Sequence, residues 1–294
     1  CGQLIQPLIN LMREQLLAGP LVQMDETPVQ VLKEPGKSAQ SKSWIWVSRG
    51  GPPRQPLMLY DYDPGRGKAM PLKLLEDYRG YLQTDGYKAY REVVSQNGLV
   101  HVGCWAHARR KFDEANKAQG RGKKPAGRAM QGLAYIQKLY RIERALKEAT
   151  PEERHTARQA QAVPVLEQLR TWLDKSLPHV PPQSAVGKAL NYLHEECPRL
   201  IRYLDDGLIP IDNNLTENAI RPFTIGRKNW LFSDSVKGIE SGTNLYSLIQ
   251  TAKANRLEPY QYLRHVFTEL PKADTVEAIE ALLPANIDTN AIYC

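Results

Sequence analysis

Several segments within the first 107 positions alternate between apolar and polar residues, a period typical of half-buried β-strands. The predicted order begins with an extended segment at 21–32, interrupted by a proline, and continues with strands at 42–50, 55–67, 80–87 and 99–107. The first three follow one another without a helix between them and predict an antiparallel meander. The last two are separated by segments with helical spacing and predict parallel additions to the same sheet.

Helical spacing, with apolar residues recurring every three or four positions, covers most of the remaining chain. Helices are predicted at 3–17, 67–78, 87–98, 130–149, 184–197, 241–257 and 259–271. "TPEE" (150–153) fits a capping box and predicts another long helix, broken or kinked near Pro164. Pro198 is expected to end the helix at 184–197.

These elements predict an α/β protein with a mixed sheet, an all-helical insertion and C-terminal helices. The predicted division has five parts: an N-terminal helix (1–20), the first part of the sheet core (21–107), the helical insertion (108–208), a core helix (209–238), and C-terminal helices with the tail (239–294).

Composition adds little to this picture, since the 294 residues are 42% hydrophobic and 24% charged, as in an ordinary globular protein. No apolar run approaches the roughly 18 residues of a membrane span, and the amphipathic start is unlike a signal peptide, so no membrane partner is expected. The four cysteines, at 1, 104, 197 and 294, form no C-x-x-C pair. We therefore expect a reducing, cytoplasmic environment.

Charge changes the picture more, because a net charge of +7 suits a polyanion such as nucleic acid. The excess is uneven: eight Lys and Arg stand against two acids between Cys104 and Arg128. "ARRKF" (108–112) and "GRGKK" (120–124) form this basic cluster. The sequence leaves open a solvated helix face and a surface that contacts backbone phosphates.

Three acids occupy positions where their carboxylates could together bind a metal ion. Asp25 is expected at the end of the first strand, Asp85 at the end of the fourth, and Glu217 at the start of the helix after the insertion. If the two strands are parallel neighbours and the helix packs over their edge, the three carboxylates converge, and such like charges need cations. The structural alternatives are a strand end for Asp25, an Asp-Gly turn for Asp85, and an Asn214 N-cap with Glu217 as its partner.

Four motifs carry a resemblance that covers residues from about 4 to about 284: "MDETPVQVL", "YLQTDGYKAY", "GCWAHARRKF" and "DNNLTENAIRPFTIGRKNWLFS". Together they resemble the bacterial insertion-sequence transposases of the IS66 type. The resemblance implies a ribonuclease H-like fold with a DDE triad at Asp25, Asp85 and Glu217. It also implies two Mg²⁺ or Mn²⁺ ions, DNA as the substrate, cleavage at transposon ends and transfer of the freed 3′-hydroxyl to target DNA. A homo-oligomer on DNA is a further expectation from the resemblance.

The remaining motifs support several interpretations. Cys104 and His107 form C-x-x-H, which is half of a zinc site; a core role is favoured, and a supporting role near the active site is the second choice. Arg109, Arg110 and Lys111 are candidate phosphate contacts. Past Glu217, the candidates are Arg221, Arg227, Lys228 and Trp230. Arg221 could instead pair with Glu217 one turn away, and Trp230 is more often a core residue than a base-stacking platform.

Two rival functions stay open at this stage. The first is a ribonuclease H-like nuclease without strand transfer, and the second is a non-catalytic DNA-binding protein derived from a transposase. Members of the family usually carry a further N-terminal portion with a zinc-binding segment and a DNA-binding module. The chain begins after that portion and its tail reads "LPAN" (283–286), so a fragment and a decayed copy are both expected alternatives.

Overall fold

The structure is a computed structural model that describes residues 2–118 and 127–287. The strands in this part of the chain are β1 (Leu21–Lys33), β2 (Lys42–Gly50), β3 (Leu57–Asp63), β4 (Tyr81–Gln83), β5 (Val100–Val102) and β6 (Ser233–Ser235). The sheet order is β3-β2-β1-β4-β5, and β6 pairs with the far end of β1. The first three strands are antiparallel and β6 runs parallel to β1, so the predicted meander and the mixed α/β class are confirmed.

Most helices of the described residues lie where the spacing predicts them, whereas those at 105–118 and 276–280 were not predicted. The helices are α1 (Gln6–Ala18), α2 (Ala69–Leu74), α3 (Ala89–Asn97), α4 (Trp105–Ala118), α5 (Arg128–Ala145), α6 (Pro151–Ser176), α7 (Ala185–Leu200), α8 (Asn214–Trp230), α9 (Val236–Ala254), α10 (Pro259–Glu269) and α11 (Val276–Glu280). The capping box is present: Glu153 N donates to Thr150 Oγ1 at 3.2 Å, and Thr150 N donates to Glu153 Oε2 at 2.9 Å. It fixes the start of α6 as predicted.

Several boundary predictions are wrong. Asp25 does not end the first strand, because β1 continues to Lys33; buried Val29 and Val31 keep the alternation going past Pro28. The fifth strand ends at Val102 rather than 107, since α4 begins at Trp105. Proline is the common cause of the other two errors.

Helix α6 runs through Pro164 as one helix of 26 residues, with buried apolar positions on both sides of the proline. Helix α7 passes Pro198 and ends at Leu200, which is itself buried. One lost backbone hydrogen bond costs less than the burial that each continuous helix gains. Packing therefore overrides the local signal in both helices.

The chain divides into two compact units. The first, which we call the sheet unit, comprises Cys1–Leu82, Lys88–Val100 and Leu215–Cys294, in so far as these are described. The second, the helical unit, comprises Gln83–Tyr87 and His101–Asn214, with the same restriction. The five-part division drawn from the sequence stays a prediction. None of the described helices combines the length and apolar character that a membrane crossing requires.

Each unit has its own core. In the sheet unit, α8 and α9 cover one face of the meander and bury Val29, Val31, Ile45, Val47, Tyr60, Ala219, Ile220, Phe223 and Ile239. In the helical unit, α4 packs on α5 and α7, and α5 packs on α6. Gly132 on α5 allows this approach, because a Cβ there would lie 2.5 Å from the ring of Phe112 on α4.

Candidate functional site

Asp25 lies on the face of β1 that α8 covers. In the register with β2 it stands opposite Val47, which belongs to the same buried cluster as Ala219 and Phe223 of α8. Residues opposite each other in an antiparallel pair project to the same face. Asp25 is half-buried, and its Oδ1 accepts a hydrogen bond from Glu26 N at 2.8 Å, which restricts the carboxylate's rotation.

Two polar contacts between β1 and α8 flank Asp25. Gln23, on the same face, accepts a hydrogen bond from Thr216 Oγ1 at 3.2 Å through its Oε1. Thr27 Oγ1 accepts one from Arg227 Nη1 at 3.1 Å, and the carbonyl of Pro28 accepts another from the same nitrogen. Helix α8 therefore runs along the strand past Asp25.

Glu217 follows the Thr216 anchor and is half-buried in the first turn of α8. The N-terminal end of a helix favours an ionised carboxylate, which is the structural explanation for an acid at this position. The predicted Asn214 cap is not what the structure shows. Asn214 is the first helical residue, and Asp212 Oδ1 accepts a hydrogen bond from its backbone N at 3.2 Å.

Asp85 belongs to the helical unit and directly follows β4. Its Oδ1 accepts a hydrogen bond from Tyr87 N at 2.8 Å, the Asx-type turn that its Asp-Gly sequence predicts. The preceding Thr84 is buried and contacts His101 Nε2 at 2.8 Å through Oγ1. Across Gly86 lie Tyr192 and the buried Glu196, close enough that an added Cβ would contact both.

The donor chemistry of the three acids fits a hard divalent ion. All are half-buried carboxylates, and oxygen ligands of this kind suit Mg²⁺ and Mn²⁺. Asp25 and Asp85 each have one oxygen held by a backbone N–H, so their orientation is fixed in advance. Asp25 and Glu217 belong to the sheet unit and Asp85 to the helical unit, so the meeting of all three stays a prediction.

Cys104 and His107 lie together in the helical unit, at the start of α4. The Cys104 Sγ and a ring nitrogen of His107 are within 4.8 Å of each other. Burial raises the pKa of the Cys104 thiol to about 12, so it carries its proton at neutral pH, as the favoured core interpretation requires. Beside it, the buried side-chain amide of Asn213 has no hydrogen-bond partner among the described residues.

A charged network next to Asp25 was missed in the sequence. The side chain of Glu26 is only 1% exposed and lies on the opposite face of β1 from Asp25. Its Oε1 accepts from Arg66 Nε at 2.9 Å and Nη2 at 2.7 Å, and its Oε2 accepts from the Tyr90 hydroxyl at 2.7 Å. Arg66 also lies over Trp44, 4.7 Å from the ring centroid. Glu26 thus has the partners that a buried carboxylate requires.

The three consecutive basic residues of α4 have different environments. Arg109 and Arg110 line a cavity of about 550 Å³ within the helical unit, together with Arg144 of α5. Lys111 is exposed on another side of α4 and does not line it. The second basic segment, at 120–124, lies outside the described residues.

The basic residues of α8 have different environments. Arg221 and Lys228 are exposed, and Arg221 makes no ion pair with any described residue, so the alternative pairing with Glu217 is absent. Arg227 is committed in part to β1 through Thr27 and Pro28. Trp230 packs edge-on against Phe223 with ring centroids 5.3 Å apart, which agrees with the favoured core role. DNA contact by these residues stays a prediction.

These features define an α/β protein whose candidate chemistry rests on carboxylates and whose charge suits a polyanion. The model of the Transposase IS66 family matches residues 1–241, and that of the IS66 C-terminal element matches residues 247–285. The chain therefore belongs to the IS66 transposase family, as its four motifs predicted.

Three curated relatives match nearly the whole length of this chain. An uncharacterized protein y4qI of Sinorhizobium fredii (strain NBRC 101917 / NGR234) is 32% identical over 98% of this chain and 54% of its own length. The proteins y4jD and y4hP of the same strain, also described as uncharacterized, are 30% and 26% identical over 96% and 95% of this chain. The chain spans about half the length of these relatives. No solved structure matches it.

Proposed function

We propose that this chain carries the catalytic part of a DDE transposase with a ribonuclease H-like core. Asp25, Asp85 and Glu217 would hold two Mg²⁺ or Mn²⁺ ions, and DNA would be the substrate. Family membership supports the transposase assignment. The chemistry of the three side chains supports the metal assignment.

One observation carries the proposal: α8, with Glu217 in its first turn, runs along the face of β1 that bears Asp25. The contacts of Thr216 with Gln23 and of Arg227 with Thr27 hold the helix to the strand on both sides of that acid. Such directional contacts fix the position of the helix along the strand more closely than apolar packing alone. Here the two candidate ligands of the sheet unit lie on elements joined by polar anchors.

Two divalent ions, when bound, supply an activated attacking oxygen and stabilise the oxygen that leaves the phosphorus. The chain's own residues would orient the ligands: the backbone N–H of Glu26 holds Asp25, and that of Tyr87 holds Asp85. In the first reaction, water attacks a phosphodiester at the transposon end, and the bond to the 3′-oxygen breaks. In the second, the freed 3′-hydroxyl attacks a phosphodiester of target DNA, and that strand's own 3′-oxygen leaves.

Recognition of transposon ends and assembly into a homo-oligomer on DNA are further parts of the proposal. They concern the whole protein, and the curated relatives are about twice as long as this chain. Exposed cations, Arg221 and Lys228 on α8 and Lys111 on α4, would contact backbone phosphates.

The test uses two DNA substrates bearing the terminal repeats that flank the gene, one intact and one already cut to expose the 3′-hydroxyl. We expect Mg²⁺- or Mn²⁺-dependent cutting of the first and joining of the second. Asp25→Asn, Asp85→Asn and Glu217→Gln should each reduce both by roughly 10³-fold or more, because such groups act as a unit. Asp234→Asn, which changes an exposed acid of the sheet unit, is the control.

The rivals give different outcomes. Cutting without joining would identify a nuclease. Retained DNA binding with no metal-dependent cutting, unchanged by Asp85→Asn, would identify a non-catalytic DNA-binding protein. Loss of activity in the Asp234→Asn control as well would show that the acidic variants act through general damage.

A further inference from the structure

A cleft between α4 and α5 gathers cations that are far apart in the sequence. Its wall on α5 is formed by Leu133, Gln137, Tyr140 and Arg144, spaced by four, three and four residues, which places them on one helix face. Arg109 and Arg110 lie on the facing side of α4. The cavity, of about 550 Å³, lies within the range of small-ligand sites.

The charge in this cleft is net positive. Its charged lining residues are three arginines and Asp113, and because Arg110 has an interaction partner of its own, the positive excess rests on Arg109 and Arg144. Asp113 is also paired with Lys117 on its own helix at 2.6 Å, so its charge is largely compensated. An anion is therefore the ligand that this cleft favours.

Arg109 lies against an aromatic ring whose hydroxyl is anchored by hydrogen bonds. Its guanidinium lies 5.8 Å from the ring centroid of Tyr140, and the Tyr140 hydroxyl donates to Asp212 Oδ2 at 2.6 Å. Asp212 in turn accepts from Asn214 Nδ2 at 2.9 Å. A guanidinium stacked on an aromatic ring keeps its in-plane N–H groups for planar recognition of a phosphate.

Arg144 completes the arrangement from the other helix. It is exposed on α5 and makes no ion pair with any residue that the structure describes. Arg141, three residues earlier on the same helix, is also exposed but does not line the cleft. The position of Arg144 beside Arg109 and Arg110 is thus a property of the fold and not of a local charge run.

The geometry points to a backbone-phosphate site of DNA in this cleft, carried by Arg109 and Arg144 of the helical unit with Arg110 beside them. The inference rests on the proposed function for the identity of the polyanion. It deepens that function by assigning a DNA-holding role to the inserted helices. Contacts of this kind position DNA without reading its sequence and weaken steeply with salt.

The experiment measures binding of a short mixed-sequence DNA duplex in EDTA, where cutting cannot interfere. The variants are Arg144→Gln and Arg109→Gln, with Arg141→Gln and Lys138→Gln as controls that each remove one exposed positive charge from α5 outside the cleft. We expect each cleft variant to weaken binding about three- to tenfold and to lower the salt slope by about one between roughly 50 and 200 mM salt. Each control should change the affinity less than about twofold.

Thermal unfolding of each variant verifies that the exposed substitutions leave the fold intact. Arg144→Gln, which breaks no stacking contact, decides the matter if Arg109→Gln is unstable. The inference is overturned if Arg144→Gln weakens binding no more than Arg141→Gln. It is equally overturned if a duplex with methylphosphonate linkages in place of phosphodiesters binds as tightly as the natural one.

The two proposals fail separately. If the wild-type chain cuts DNA and binds it normally while the cleft variants bind like the controls, the phosphate site is wrong and the transposase assignment stands. If the wild-type chain neither binds nor cuts DNA, both are wrong.

Discussion

Each unit buries an ionised side chain, and the two are satisfied in different ways. In the sheet unit, Glu26 is held by Arg66, whose side chain is still 42% exposed, and by Tyr90. In the helical unit, Arg158 is fully buried and pairs with Glu143 through two contacts of 2.8 and 2.7 Å. Arg158 also donates to the carbonyls of Tyr203 and Asp206.

The comparison shows that a buried charge does not by itself mark an active site. Arg158 joins α5, α6 and the turn after α7, and its role is structural. Glu26 is next to Asp25 in sequence and supports the strand that carries a candidate ligand. Structural ion pairs and functional carboxylates resemble each other in burial, so position in the fold has to separate them.

The largest expected effect on stability is at Arg158. Arg158→Ala leaves Glu143 and two carbonyls without their donor, and it should lower the free energy of unfolding by about 3–5 kcal/mol. Arg170→Ala, on the same α6 helix, breaks an exposed pair with Asp174 at 3.2 Å and should cost below about 0.5 kcal/mol. Urea unfolding, monitored by the circular dichroism of the helices, measures the free energy of unfolding of both variants.

A double variant sharpens this prediction. Arg158→Met with Glu143→Leu removes both charges together and should recover most of the lost stability, because no unpaired carboxylate remains. If the free energy of unfolding of Arg158→Ala lies within about 1 kcal/mol of the wild-type value, the structural role assigned to Arg158 is contradicted.

The next effect concerns the Glu26 network. Tyr90→Phe keeps the ring, which meets Trp46 edge-on at 6.1 Å, and removes only the hydroxyl that donates to Glu26. Loss of a hydrogen bond to a buried carboxylate should cost about 1.5–3 kcal/mol in urea unfolding. Tyr246→Phe is the control, because its hydroxyl has no hydrogen-bond partner among the described residues. Equal stability of the Tyr90→Phe and Tyr246→Phe variants would show that the hydrogen bond from Tyr90 to Glu26 does not stabilise the fold.

Much of the fold follows from sequence patterns because the signals are local. Strand alternation, helical spacing and the Thr150 capping box each involve neighbours within a few residues. The mixed sheet and the inserted helices were predicted from them. The family motifs, which are short and contiguous, likewise identified the three candidate acids.

The features that were missed depend on contacts between distant parts of the chain. The anchors of α8 join residues 193 and 199 positions apart, Thr216 with Gln23 and Arg227 with Pro28. Nothing in "GRKNW" indicates that Arg227 would bind a strand carbonyl. Arg144 and Arg158 likewise occur in segments that look like solvated helix faces, and only the packing of α5 and α6 separates a surface cation from a buried one.

The smallest expected effect tests a buried group that stays neutral. Cys104 is 1% exposed, and burial raises the pKa of its thiol from an ordinary value of 9.0 to about 12. Between these two values the unfolded chain loses a proton that the folded protein keeps. Stability from this group is therefore fully present below pH 9 and is lost as pH rises towards 12.

Between about pH 8 and about pH 10 this difference amounts to about 1.4 kcal/mol. The free energy of unfolding of the wild type should fall by that much more than the free energy of unfolding of Cys104→Ala over the same interval. The tyrosines whose pKa values burial raises titrate in both proteins and cancel in the comparison. Parallel pH profiles would show that the Cys104 thiol is not shielded in the helical unit. They would then favour a reactive or ligating role over a core one.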